Sequence, residues 1–243
     1  MKRFGLTPLL VMAAITVAML VAARQTAYFP GDLELTRAIQ SSVPAGGWAR
    51  AVTRAAYAPW IYGVLAVSAI AALRIAGWRA AVAMAVTFLA LMQVETGMKG
   101  FIARPRPSAA LVTVAGTTAP PASSMAMMAG QSAGGAALQG PPGGGAALQG
   151  PRPSYSMPSG WALLFGSTVG LLGALALRYA RGAARAAYLT GCAIVLIAGL
   201  LARVSLGQHW PSDVIAGYLL AIVIGLGLVE LLASFSAPKR RRV

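Results

Sequence analysis

Three short stretches of this chain hold side chains whose types and spacing could handle a phosphate. "KGFIARPRP" gives Lys99, six residues, then Arg106-Pro107. "PSGW", residues 158–161, is a Pro-Ser-Gly turn that runs straight into an apolar helix. "RVSLGQHWPSD" gives Arg203, five residues, His209, three residues, Asp213. Lys99, Arg106 and Arg203 supply cations for a phosphate and for the charge spread over its equatorial oxygens during transfer. Pro158, Ser159 and Gly160 open a helix whose free N–H groups and positive dipole end form an anion site. Pro211 suits the first position of a following helix, leaving His209 just outside it and Asp213 in its first turn. Asp213 can then accept from one imidazole nitrogen, fix the tautomer and leave the other nitrogen free to attack phosphorus. His209 is the only histidine in the chain, so nucleophilic chemistry of this kind has one candidate.

The elements that must hold these residues are membrane helices. Of 243 residues, 58% are hydrophobic and 10% charged, with a mean hydropathy of +0.70. Soluble domains carry about 25% charged residues. Six apolar runs, near 4–23, 55–73, 80–98, 161–179, 186–202 and 212–235, approach the roughly 20 residues needed to cross about 30 Å of hydrocarbon. The first follows Lys2 and Arg3 and precedes small residues, as a cleaved signal peptide would, but it is longer than a usual signal core. A retained helix is therefore expected. The expected fold is all-α: one polytopic domain, a bundle of six transmembrane helices.

A formal net charge of +15 would suggest nucleic acid in a soluble protein. Here the cations cluster at the ends of apolar runs, where they set orientation. There is no aromatic-studded basic face, so nucleic-acid binding is excluded. With six spans, Lys2 and Arg3, Arg74 and Arg79, Arg178, Arg181 and Arg185, and Lys239 to Arg242 share one side. That side is the cytoplasm, with both termini on it, in an inner or plasma membrane. Lys99, Arg104, Arg106 and Arg203 fall on the opposite side against the rule, which makes them candidates for function. The single cysteine, Cys192, excludes an internal disulfide, and one His, one Cys and five Asp or Glu are too few for a protein-built metal cage. No metal or cofactor is expected. The 108–157 segment reads as a flexible Gly/Pro/Ala-rich outer loop, in which "GGAALQGP" at 134–141 recurs at 144–151. Its "MAMM" at 125–128, with Leu138 and Leu148, could touch lipid.

Together the three stretches resemble the signature of the type-2 phosphatidic acid phosphatase family, which is similar to the vanadium haloperoxidases at the active site. The family pattern is Lys, six residues, Arg-Pro; then Pro-Ser-Gly-His; then Ser-Arg, five residues, His, three residues, Asp. The resemblance runs over about 150 residues, from the third span to the sixth. It implies a six-helix membrane phosphatase acting on lipid phosphates or diphosphates without a metal. By it, Lys99, Arg106 and Arg203 bind phosphate, and Ser159 and Gly160 do so through the backbone. His209 would form a phosphohistidine, with Asp213 orienting it.

Two positions depart from the pattern. Ala202 replaces a serine, and Trp161 replaces the histidine that protonates the leaving oxygen. An indole N–H donates hydrogen bonds but surrenders no proton near neutral pH. A general acid contributes about 10²- to 10⁴-fold. Its loss should matter most for a lipid monophosphate, which must expel an alkoxide. A diphosphate expels a phosphate monoester, whose second pKa of about 6 makes it a tolerable anion. The expected activity therefore favours a lipid diphosphate such as a polyprenyl diphosphate. Two residues could supply the missing proton. The carboxyl of Glu95, one helical turn before Lys99, could be protonated within the bilayer but is expected to pair with Lys99 or a neighbouring helix. Tyr155 is a weak donor. The rival readings are a lipid-phosphate binder that has lost turnover, with Trp161 closing over the site, and a lipid-to-lipid phosphotransferase.

Overall fold

Hydrocarbon offers backbone groups no partners, so apolar runs satisfy their own hydrogen bonds as helices. The computed structural model describes residues 6–115 and 155–235. Every regular element among them is helical: α1 (Leu6–Ala22), α2 (Asp32–Ser42), α3 (Gly47–Arg54), α4 (Trp60–Ala76), α5 (Trp78–Ile102), α6 (Gly160–Tyr179), α7 (Gly182–Ser205) and α8 (Pro211–Ser234). Four of these, α5 to α8, are long and apolar enough to cross a membrane. At 17 residues each, α1 and α4 sit at the lower end of the span range of about 17–25 residues.

The run expected near 55–73 is helical from Trp60 to Ala76, starting after Pro59 and ending at Gly77, whose φ of 89° only glycine adopts freely. The run expected near 80–98 continues to Ile102, so Lys99 lies in the last turn of α5 rather than beyond it. The short helices α2 and α3 have no counterpart among the expected spans. Asp32 and Glu34 in the first turn of α2 suit its dipole, and α2 and α3 pack on the C-terminal half of α7.

The central element is α6. Residues 156–172 are all buried, whereas α5, α7 and α8 turn apolar side chains such as Leu89, Ile197 and Ile224 outward. A helix that is apolar all round belongs inside a bundle. The π turn at Gly166–Gly170 interrupts α6 where it crosses α8. These two helices run parallel and very close. A Cβ on Gly217 would lie 2.8 Å from the Ala162 Cβ, and one on Gly166 would lie 3.0 Å from the Tyr218 Cα. Small residues permit such backbone contact between helices that have no hydrophobic drive to associate in lipid. Because the two are parallel, both N-termini emerge at one end of the bundle. The C-terminal ends of α5 and α7 meet them there.

Of the 108–157 segment, residues 116–154 lie outside the described residues, and with them the repeat, "MAMM", Leu138 and Leu148. Its first residues are anchored: Gln40 donates to the Thr113 carbonyl at 2.7 Å, Arg37 to the Leu111 carbonyl at 3.2 Å, and the Ala115 N–H to the Leu206 carbonyl at 3.0 Å.

Replacing Gly217 by Leu would push α8 off Ala162 and separate the two N-termini. Overpacking of this kind costs about 1–3 kcal/mol. We expect a lowered unfolding temperature for G217L in detergent, measured by the loss of helical circular dichroism.

Candidate active site

The two parallel N-termini are locked together through their main chains. The Ser159 N–H donates to the Asp213 carbonyl oxygen at 3.2 Å. This corrects one expectation, because the Ser159 N–H is then not available to a phosphate. What Ser159 offers instead is its hydroxyl, which is buried with no protein partner. The cradle at the start of α6 thus consists of that hydroxyl and the first-turn N–H groups from Gly160 onward, which a helix cannot satisfy internally.

Asp213 is held from several sides. Its Oδ2 accepts the Trp210 N–H at 2.9 Å, which caps α8. Its Oδ1 accepts from Arg104 Nη1 at 2.6 Å. The same guanidinium donates Nη2 to Asp32 Oδ2 at 2.8 Å and Nη1 to the Ser212 hydroxyl at 2.8 Å, and lies over the Phe29 ring. Asp32 in turn accepts from the Ser212 hydroxyl and from the Phe29 and Ser212 N–H groups. Arg104 is only 1% exposed. The sequence marked it as a cation on the unexpected side but gave it no role. Asp32, the residue that completes the network, carried no motif at all. Its one legible trait was its place among only five acids, in an outer segment.

His209 is fully buried, and neither ring nitrogen has a hydrogen-bond partner. Its Nδ1 lies 3.7 Å from Asp213 Oδ2, longer than a hydrogen bond. Asp213 therefore faces the ring without gripping it. Burial holds the imidazole pKa well below its ordinary 6.5, reinforced by the charges of Arg203, Arg106 and Lys99 in that order. A buried imidazole ringed by cations stays unprotonated, as a nucleophile must.

The cations are unequally matched. Arg104 is neutralised by Asp32 and Asp213, and Lys99 lies 2.5 Å from Glu95 Oε1. Among the described residues, Arg106 and Arg203 have no carboxylate within ion-pair distance. Arg106 Nη1 donates to the Gln208 carbonyl at 2.8 Å, while the Nε atoms of Arg106 and Arg203 are buried without partners. Burial lowers the Arg106 pKa. Two uncompensated guanidiniums, an unpartnered hydroxyl, a helix N-terminus and an unpartnered imidazole converge on one volume, an arrangement suited to a tetrahedral oxyanion. Among the described residues, no group of three His, Cys, Asp or Glu side chains gathers as a metal cage.

Lys99, Arg106, Ser159, Gly160, Arg203, His209 and Asp213 thus share one end of the bundle. The Trp161 side chain does not join them. It is 4% exposed, stacks on Phe165 at 3.8 Å between centroids, meets Tyr218 edge-on and donates its N–H to the Val52 carbonyl at 3.0 Å. Its six-membered ring fills the space above Gly199, where no side chain would fit. The indole is part of the core rather than a lid over His209.

Residues 76–235 match the PAP2 superfamily. A transmembrane PAP2-type phosphatidylglycerolphosphate phosphatase from Bacillus subtilis superposes with a TM-score of 0.57, over 96% of this chain and 98% of the other, at 13% identity. At that identity the likeness is one of fold. No curated protein sequence matches the chain.

Two outcomes are expected. Replacing Arg104 by Met leaves Asp32 and Asp213 buried without their cation, a loss of about 3–5 kcal/mol that chemical unfolding in detergent would read. Because the chain has one histidine, its ring resonances report a single site. In the folded protein they should stay at neutral-imidazole positions as pH falls through 6.5, whereas an unperturbed histidine would be half protonated there.

Proposed function

The chain belongs to the PAP2 superfamily, and on that premise we propose that it is a membrane lipid phosphatase. It removes the terminal phosphate of a lipid phosphate or diphosphate, with a polyprenyl diphosphate preferred. The observation that carries this reading is the buried, unpartnered His209, set among Arg203, Arg106 and Lys99 at the N-terminus of α6. The terminal phosphate sits against Arg106, Arg203, Lys99, the Ser159 hydroxyl and the Gly160 end of α6. His209 attacks phosphorus in line with the leaving oxygen and forms a phosphohistidine. Asp213 closes on the ring as positive charge develops, and water then releases phosphate.

The preference for a diphosphate follows from the leaving group: a phosphate monoester, with a second pKa of about 6, departs more readily than an alkoxide. The Trp161 N–H is spent on Val52 rather than on a leaving oxygen. Orientation follows from Arg79, Arg178 and Arg185, which lie at the helix ends opposite the site. With that end in the cytoplasm, six spans place both termini there, and the site opens to the periplasm or cell exterior. The substrate then approaches laterally from the outer leaflet.

Phosphate release from a polyprenyl diphosphate by the purified protein in detergent tests this reading. Release should disappear in His209→Ala. The diphosphate should outpace the matching monophosphate by about tenfold or more in kcat/KM, since the alkoxide is the leaving group that most needs an acid. Binding of the lipid without release would leave a binder, and transfer of the phosphoryl group to a second lipid would leave a phosphotransferase. Equal rates on the two substrates would remove the diphosphate preference.

A further inference from the structure

The proton donor that position 161 lacks has a replacement within the same cradle. Glu95 extends from α5 to the first residue of α6, where its carboxyl group lies against Gly160 so closely that any side chain there would collide with it. Lys99 Nζ donates to its Oε1 at 2.5 Å. Among the described residues no other hydrogen bond reaches the carboxylate, which leaves Oε2 for a ligand. Its charge acts on both Arg106 and Arg203. Asp213 also acts on Arg106 but is held by Arg104 and the Trp210 N–H, whereas Glu95 is held by Lys99 alone and acts on both guanidiniums. An ordinary exposed pair one helical turn apart needs no such placement.

We propose that Glu95 is the general acid, and later the general base, of the phosphatase reaction, an assignment that rests on the reading given above. The proton arrives with the substrate: a terminal phosphate with a second pKa of about 6 is partly monoanionic near neutral pH. That proton passes from a phosphate oxygen to Glu95 Oε2 as Lys99, Arg106 and Arg203 take up the phosphate charge. The lone pair of His209 then forms the P–N bond. The bond from phosphorus to the bridging oxygen breaks, its electron pair stays on that oxygen, and the oxygen takes the proton from Glu95. In the second half Glu95 removes a proton from water as the water oxygen attacks phosphorus. The P–N bond breaks with its pair returning to His209, and Glu95 passes its proton to the departing phosphate. The Lys99 ammonium has three donors, so it can hold Oε1 in place and still bind the substrate.

The test compares kcat/KM for a polyprenyl diphosphate and for the monophosphate of the same lipid, in the native chain, Glu95→Gln and Glu95→Asp. This parameter covers the steps up to departure of the leaving oxygen. Glu95→Gln should lower it by about 10²- to 10⁴-fold for the monophosphate. The loss on the diphosphate should be at least tenfold smaller. Glu95→Asp, which keeps the carboxyl group, should lose less on the monophosphate than Glu95→Gln. Equal losses on the two substrates, no loss, or a rise in rate would overturn the assignment, the rise marking Glu95 as an obstruction in the cradle. A native chain that cleaves the diphosphate but not the monophosphate would overturn it as well, leaving the phosphatase reading intact. A native chain that releases no more phosphate than His209→Ala from either substrate would overturn the phosphatase reading and this assignment with it.

Discussion

A guanidinium sealed inside a membrane protein has to find carboxylates, and the carboxylates have to find it. Arg104, bonded to Asp213, Asp32 and Ser212, joins three parts of the chain that are far apart in sequence: the start of α2, the segment after α5 and the start of α8. Each of these charges, left alone at this depth, would carry a desolvation cost of several kcal/mol. The network therefore admits one arrangement of those segments. Its consequence for the site is twofold. Asp213 is fixed beside His209, and its carboxylate is committed to Arg104 rather than to Arg106 or Arg203. Arg106 and Arg203 thereby keep their charge with no ion-pair partner among the described residues.

The second constraint is the contact between α6 and α8. The two parallel helices lie so close that a Cβ added to Gly217 or Gly166 would come within 2.8–3.0 Å of the other helix, which leaves little room for a tilt. Their N-termini, and the main-chain bond from Ser159 to Asp213, are thereby held level. The antiparallel neighbours α5 and α7 end at the same height and bring Lys99 and Arg203 from the other side. Phosphate chemistry then needs little further design, since dipole ends and cations already converge where an oxyanion would sit.

Trp161 changes its meaning in this frame. The indole fills a gap between α3, α7 and α8 that Gly199 leaves open, and Val52 takes its only proton. It contributes to the packing that keeps α6 central. The residue is thus a structural element at the position where the family pattern has a histidine.

Much of this protein was legible before any tertiary contact was considered. Hydropathy marked the apolar helices, because backbone groups in hydrocarbon have to bond within their own segment. The spacing from Lys99 to Arg106 and from Arg203 through His209 to Asp213 singled out residues that gather at one end of the bundle, because those residue types suit phosphate chemistry. Cations on the side opposite the main Lys and Arg groups flagged Arg104 without explaining it. What the sequence could not carry were relations between residues with no local pattern. Asp32 becomes important only through a partner 72 residues away. Ser159 loses its N–H to a carbonyl on another helix, and Trp161 turns inward because a glycine 38 positions later makes room. Glu95 read as a partner for Lys99 one turn too far from the phosphate to serve as its proton donor, and it was the packing of α5 against the start of α6 that put its carboxyl group against Gly160. Local chemistry is written in residue type and spacing; which charges are neutralised and which are left to bind a ligand is settled only when the helices meet.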